Sequence, residues 1–403
     1  MKKKALLLCA GMVLIAVLMA TGNLLIPFCP LSLNDLTAQW LISPRRYFIE
    51  TPSKNGEKLC LNPELIRLDH KPQCFAPRKA PGTFRIFCLG GSTTEGWPFQ
   101  HLLSYPDFLN LELKDVLPSR RIKVINAGIL SSDSFSDLPL LKELLGCGPD
   151  MIIIYEGRNE YLNDPLHFGP RAKLLFLHFW LLRHLSLYRY LRYRIFPTGI
   201  FVRAINIMFW AKKGLKPNYG DLVRQHMIEN LTSMLRLARR NHCRVMLVTQ
   251  VMDPSDPSED WLKSYNDSIR RLAAEQKVPI IDAAHGFESY RGGFGPIFLS
   301  HLGHPDVGGY FLMSQTAAHS LARSGLIAPA KDWRWSKEKS EIDYLRKLAV
   351  TPRSLADTYA FLPRFYLAIK MPSLARRYTA LALKIRRNGW TALPRWQADG
   401  RPR

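Results

Sequence analysis

From Phe84 onward, short apolar runs alternate with segments whose apolar positions recur every three or four residues. Phe84 to Leu89, Ile122 to Ile125 (IKVI), Met151 to Tyr155 (MIIIY), Val245 to Gln250 (VMLVTQ) and Val278 to Ile281 (VPII) have the length and side-chain content of strands. Between them, Tyr105 to Val116, Leu138 to Leu145, Leu222 to Arg240 and Trp261 to Gln276 carry helical spacing. Nearly continuous apolar strands alternating with amphipathic helices predict a parallel sheet covered on both faces. The expectation is an α/β protein, a three-layer α/β/α sandwich of flavodoxin-like type over residues 84–325.

The start of the chain breaks this pattern. Met1 is followed by three lysines, and no charge then appears until Asp35. The run Ala5 to Phe28 is long enough to cross a hydrocarbon layer of about 30 Å as a helix. Lysines before such a run keep that end cytoplasmic and send the rest across the membrane. Ala20-Thr21-Gly22 is a small-x-small cleavage site, but the apolar run continues through Leu24-Leu25-Ile26. An uncleaved transmembrane anchor over residues 1–34 is therefore favoured over a signal peptide. Residues 35–83 are polar and proline-interrupted, and read as an irregular lead-in or a small edge structure. Export permits disulfides, and Cys60 with Cys74 closes a short loop there. Cys88 and Cys147 read as small core residues. No C-x-x-C or His/Cys cluster suggests a metal site.

Charge adds two features. The formal net charge is +23, and it is concentrated. Between Asp164 and Asp221 there are ten Lys/Arg and no acid. The insert 167–216 interleaves basic and aromatic residues, as in LLFLHFWLLRHLSLYRYLRYRIF. It reads as a helical pair with solvated arginines, as an interfacial element on anionic lipid, or as a lid or groove contacting a ligand. Export argues against nucleic acid as the partner of this basic, aromatic surface. The second basic segment lies in 326–403, a region expected to be helical. Within LPRFYLAIKMPSLARRYTALAL, Tyr366, Ala375 and Ala382 have the mutual spacing of a tetratricopeptide helix pair, which could hold a protein partner. The tail after Gly389 reads as disordered.

The chemistry concentrates at strand ends. FRIFCLGGSTTEGWPF, residues 84–99, is a strand, a glycine turn and then Ser92 at a helix start. With Glu95 three residues on, Ser92 reads either as an N-cap or as a nucleophile at the ligand-binding edge of the sheet. Three further stations bear on it: the turn in IKVINAGILSSDS (122–134), the strand end in MIIIYEGRNEY (151–161), and FLSHLGHPDVGGYFLMSQ (298–315). Strands of a parallel sheet share one carboxyl edge, so their ends can converge. A serine attacking an ester needs a base with a pKa near working pH and donors aimed at the oxyanion.

These four stations, in this order, resemble the SGNH (GDSL-type) hydrolase superfamily, in a branch with GGST at the first block and G-x-N-E at the third. The resemblance covers roughly residues 84–325 and implies that Ser92 is the nucleophile and His304 the base. It also implies oxyanion donors at Ser92, Ser131 and Asn159, with Gly128 serving the second-block turn. One feature departs from the pattern. The family's fourth block is D-x-x-H, yet the residue three before His304 is His301, and Ser300 takes that place if Gly303 is an insertion. The nearest carboxylate is Asp306. The resemblance implies a serine esterase or O-acyltransferase for a small acyl group such as acetyl, on an acylated carbohydrate or small ester, with no cofactor. With the N-terminus, it implies a single-pass protein of a bacterial inner membrane whose body is periplasmic, or a secreted one if the N-terminus is cleaved. The missing Asp leaves a second reading, a catalytically impaired envelope binding or scaffold protein.

Overall fold

In a computed structural model, the described residues are 46–52, 57–62, 73–160, 163, 177, 180–182, 184–195, 219–251, 259–290, 298–299, 303–368 and 370–393. The chain divides into two compact units. One comprises residues 46–62, 68–161 and 220–403, the other 1–45, 63–67 and 162–219.

The larger unit is built on five parallel strands, β4 (Thr83–Gly90), β5 (Arg121–Asn126), β6 (Met151–Tyr155), β7 (Arg244–Val248) and β8 (Ile280–Ile281). Their spatial order is β5-β4-β6-β7-β8. Counted within the sheet this is 2-1-3-4-5, the flavodoxin-like order, whose topological switch point lies between the first and third strands. Here those are β4 and β6. Period-two alternation splits the strand side chains between the faces. Ile86, Cys88, Met151 and Ile153 join one apolar cluster with α2 (Tyr105–Val116) and α8 (Val307–Ser324). Their neighbours Phe87, Leu89, Ile152 and Ile154 are equally buried but lie outside that cluster. So do the buried residues of α3 (Ser134–Leu145), α5 (Tyr219–Arg240) and α6 (Glu259–Glu275). The sheet is covered on both faces, as the apolar strand runs predict.

The lead-in forms a small antiparallel sheet of β1 (Phe48–Thr51), β2 (Lys58–Leu61) and β3 (Cys74–Phe75). Cys60 stands opposite Cys74, and the two form a disulfide. Cys88 and Cys147 are free and buried. Phe75 joins the sheet to the body, its ring 5.0 Å from Phe48 and 5.1 Å from Phe87.

After α8 the chain adds α9 (Glu341–Lys347) and a hairpin of α10 (Pro352–Ala368) and α11 (Pro372–Asn388). Tyr366, Ala375 and Ala382 are buried in it. Tyr378 stacks on Tyr366 at 5.2 Å and on Tyr359 at 6.1 Å. Gly389 does not end the ordered chain, because a 3₁₀ turn follows over Gly389–Ala392 and buries Ala392 and Leu393.

In the smaller unit the described part is centred on α4 (Ser186–Ile195). Leu182 and Ser186 are buried there, while Leu177, Trp180, Tyr190 and Leu191 are exposed. No helix of the described residues is long and apolar enough to cross a membrane. The expected anchor, residues 1–34, lies outside the described residues.

Candidate active site

Gly90 ends β4, and the short helix α1 (Ser92–Glu95) follows at once. Its N-cap is Gly91, with no side-chain cap bond. Ser92 is therefore the first residue inside the helix, and the cap reading of its hydroxyl is corrected. A cap side chain must stand one residue earlier, where there is only glycine. The Ser92 Oγ instead stands 2.6 Å from Nε2 of His304. Its own N–H is one of the unpaired donors that begin a helix. Asn159 follows β6, and its amide lies directly over Gly91, where any side chain would displace it. Ser92 and Asn159 thus flank the switch point.

His304 begins the two-residue strand β10 (His304–Pro305), antiparallel to β9 (Phe298–Leu299), with Leu299 as its partner. The Trp97 ring packs 4.8 Å from its imidazole. Trp97 is joined to Pro98 by a cis peptide. Asp306, the carboxylate nearest to His304 in sequence, is the N-cap of α8 and accepts from Val307 N–H at 2.8 Å. It also accepts from the Tyr359 hydroxyl. Burial pushes the Asp306 carboxyl up to about 6, against the lowering effect of that hydroxyl. So Asp306 is bonded to the C-terminal hairpin rather than to the imidazole. His301 lies outside the described residues.

The second station ties β5 to α1. The Asn126 amide donates to the carbonyls of Thr94 (2.8 Å) and Glu95 (3.2 Å) and to Ser104 Oγ (3.0 Å). Those two carbonyls belong to a helix too short to satisfy them. Gly128 packs flat on the Thr94–Glu95 backbone, and its N–H donates to Asn126 Oδ1 at 2.8 Å, so that donor is committed within the turn. Ser131 has φ +65°, a left-handed conformation that explains why glycine suits this place in the family pattern. Asn159 Nδ2 gives one hydrogen to the Ser132 carbonyl at 2.6 Å. An amide nitrogen has two, so the second can face a ligand oxygen.

Behind this turn lie buried carboxyls. Glu160 Oε1 accepts from Ser134 N–H at 2.9 Å and so ties the third block to the start of α3. Asp137 accepts from the Ser132 hydroxyl. Burial pushes Asp137 up to about 6 and Glu156 well above the usual range. The neighbouring Asp137 charge raises Glu156 further. No group of acids, histidines or cysteines among the described residues could hold a metal.

The structure also brings in residues that the sequence reading missed. Trp97 had a signal, standing five residues past Ser92 in the first block. Arg158, inside the third block, packs its guanidinium on Gly303, next to His304. Tyr359 had no signal, since nothing local links it to Asp306.

A serine and a histidine paired at the switch point of a parallel α/β sheet, with a strand-end amide beside the serine, form the layout of a serine-hydrolase site. The chain belongs to the GDSL-like lipase/acylhydrolase family, whose model matches residues 88–311. No curated protein matches the sequence. Among solved structures it is similar to an acetylxylan esterase from Geobacillus stearothermophilus, at 15% identity over 59% of this chain and 94% of that chain, with a TM-score of 0.40. It is also similar to an α/β hydrolase enzyme from the metagenome of Lake Arreo, Spain, at 15% identity over 61% of this chain and 97% of that one, TM-score 0.40. A third is TesA, at 16% identity over 59% and 98%, TM-score 0.39. Likenesses this distant carry no argument about substrate.

Proposed function

We propose that this protein is an exported, membrane-tethered serine esterase or O-acyltransferase that removes or transfers a small acyl group, acetyl in the first instance, on a cell-envelope or extracellular glycan. The observation that carries the chemistry is the 2.6 Å approach of Ser92 Oγ to His304 Nε2. Ser92 attacks the ester carbonyl while His304 takes its proton. The negative charge that develops on the carbonyl oxygen meets the backbone N–H groups of Ser92 and Ser131 and the second amide hydrogen of Asn159. His304 then protonates the departing sugar oxygen, leaving an acyl group on Ser92. Water completes an esterase cycle, and a second hydroxyl completes a transferase cycle. The tether and the export rest on the lysines and the apolar run at the N-terminus.

The test is hydrolysis of a chromogenic acetyl ester by full-length protein in detergent, with Ser92→Ala beside it. Activity that survives the substitution sinks the mechanism. A wild-type protein with neither turnover nor covalent labelling by a fluorophosphonate would favour the binding or scaffold reading, which the engagement of Asp306 with Tyr359 keeps in play.

A further inference from the structure

The C-terminal hairpin lies wholly beyond the residues 88–311 that the family model matches. Its first helix nonetheless reaches both loops that carry the site. On the histidine side, the Tyr359 hydroxyl donates to Asp306, two residues after His304 and fixed at the head of α8. On the serine side, Phe365 packs edge-on against Trp97 at 5.5 Å, and Trp97 in turn packs on the His304 imidazole. The Tyr359 ring also meets Phe99 at 5.4 Å. Thr358 Oγ1 lies 3.1 Å from His101 Nε2, and both Phe99 and His101 belong to the turn after Ser92. One helical face therefore touches the nucleophile loop and the base loop together.

Geometry of this kind affects rate. A base acts only when its nitrogen is held at hydrogen-bonding distance, and a misplacement of about 1 Å can cost about 100-fold. In the usual triad a carboxylate orients the imidazole from behind. Here Asp306, two residues after the histidine, accepts from the hairpin's Tyr359, so the hairpin holds the base loop directly.

We propose that the C-terminal hairpin is a built-in clamp of the active site, with Tyr359 and Phe365 as positioning residues that hold His304 against Ser92, the first through Asp306 and the second through Trp97. The inference rests on the reading of Ser92 and His304 as nucleophile and base. It assigns the region beyond the family domain a part in the reaction rather than in partner binding.

The experiment follows covalent labelling of full-length protein in detergent by a fluorophosphonate probe. In that step the Ser92 Oγ–P bond forms as P–F breaks, and the hydroxyl proton passes to His304, so the limiting rate reports the base. Tyr359→Phe keeps the ring between Phe99 and Tyr378 and removes only the hydroxyl. Its limiting labelling rate is expected to fall about 10-fold or more, with the half-saturating probe concentration within about twofold of wild type. Phe365→Leu, acting by the other route, is expected to give the same split, and it carries the test should Tyr359→Phe fold poorly. Leu272→Ala, buried on α6 outside the apolar cluster that includes the hairpin, controls for loss of stability alone and is expected to melt earlier with an unchanged limiting rate. Wild-type rates in both Tyr359→Phe and Phe365→Leu overturn the inference, as does an equal fall in Leu272→Ala. Wild-type protein that labels at Ser92 while these variants label equally fast disproves the clamp and spares the mechanism. Absence of labelling in wild type removes both.

Discussion

The guanidinium of Arg158 occupies the space that a side chain at position 303 would need: a Cβ built on Gly303 falls among its atoms. Gly303 has φ +57° and directly precedes His304. The glycine that looks like an insertion in the fourth block thus seats a third-block arginine under the base loop. Gly303→Ala should cost about 1 kcal/mol from the left-handed backbone alone. The arginine tip is flexible enough to move aside, so folding should survive, but the loop carrying His304 should shift with it. The expected outcome is a kcat reduced by about 10-fold or more with KM little changed. A double-mutant cycle with Arg158→Ala checks the cause. Without the guanidinium, the alanine at 303 should cost less, by a coupling of about 1 kcal/mol. Additive losses would mean that the two residues act separately.

The donors proposed for the oxyanion differ in kind, and that makes them separable. Asn159 acts through a side chain, so Asn159→Ala should lower kcat about 10²- to 10³-fold. Its bond to the Ser132 carbonyl is one hydrogen bond, so stability should fall by only about 1 kcal/mol. Ser131 acts through its backbone, so Ser131→Gly should keep the activity. Glycine relieves the positive φ of +65° at a cost in chain entropy of similar size, about 1 kcal/mol each way. Its melting temperature should stay close to wild type. A Ser131→Gly protein as impaired as Asn159→Ala would show that the hydroxyl, rather than the N–H, does the work at this position.

The sequence was most readable where physics is local. MIIIY is β6 residue for residue, and Tyr105 to Val116 is α2, because an apolar run and a 3.6 period each report their own element. VPII shrank to Ile280–Ile281 because Pro279 has no N–H to give the ladder; its carbonyl still accepts from Leu247 at 3.3 Å. The S-x-x-E pattern placed the cap one residue too late, since it cannot tell N-cap from first helical residue when glycine precedes serine. Convergence of Ser92, Asn159 and His304 could be expected from the shared sheet edge. The engagement of Asp306 could not, because Tyr359 is 53 residues away and a buried tyrosine on an amphipathic helix looks the same whatever it touches.

The Cys60–Cys74 bond closes a loop with a sequence separation of 14. A loop of that size stabilises by about 3 kcal/mol in the chain-entropy account. Reductant should therefore lower the melting temperature of the wild type and leave a Cys60→Ser/Cys74→Ser variant unmoved. The damage should reach the body, since Tyr47 and Phe48 N–H groups at the sheet's start each bond the Glu143 carboxylate at 2.8 Å. A thermal scan with and without dithiothreitol decides the matter. An equal response in both proteins would mean that the bond contributes nothing to stability.

Glu112 gives a pH dependence with a definite sign. It is fully buried on α2, and burial pushes its carboxyl from 4.5 up to about 8, with the Ser314 hydroxyl opposing the shift and the charge of Glu338 adding to it. The folded protein thus keeps a proton that the unfolded chain releases above its ordinary value. Folding stability from this group must fall as pH rises from about 4.5 and level off only above about 8. Glu112→Gln keeps the shape and a carbonyl oxygen to accept from Ser314 Oγ, now at 2.5 Å, but cannot ionise. At pH 5 the carboxyl is already neutral in the fold, and the variant should match wild type within about 1 kcal/mol. At pH 8.5 it should be the more stable protein by about 4 kcal/mol. Melting temperatures of both proteins at the two pH values measure the difference directly, and an advantage that stays constant between them would show that Glu112 is charged inside the fold.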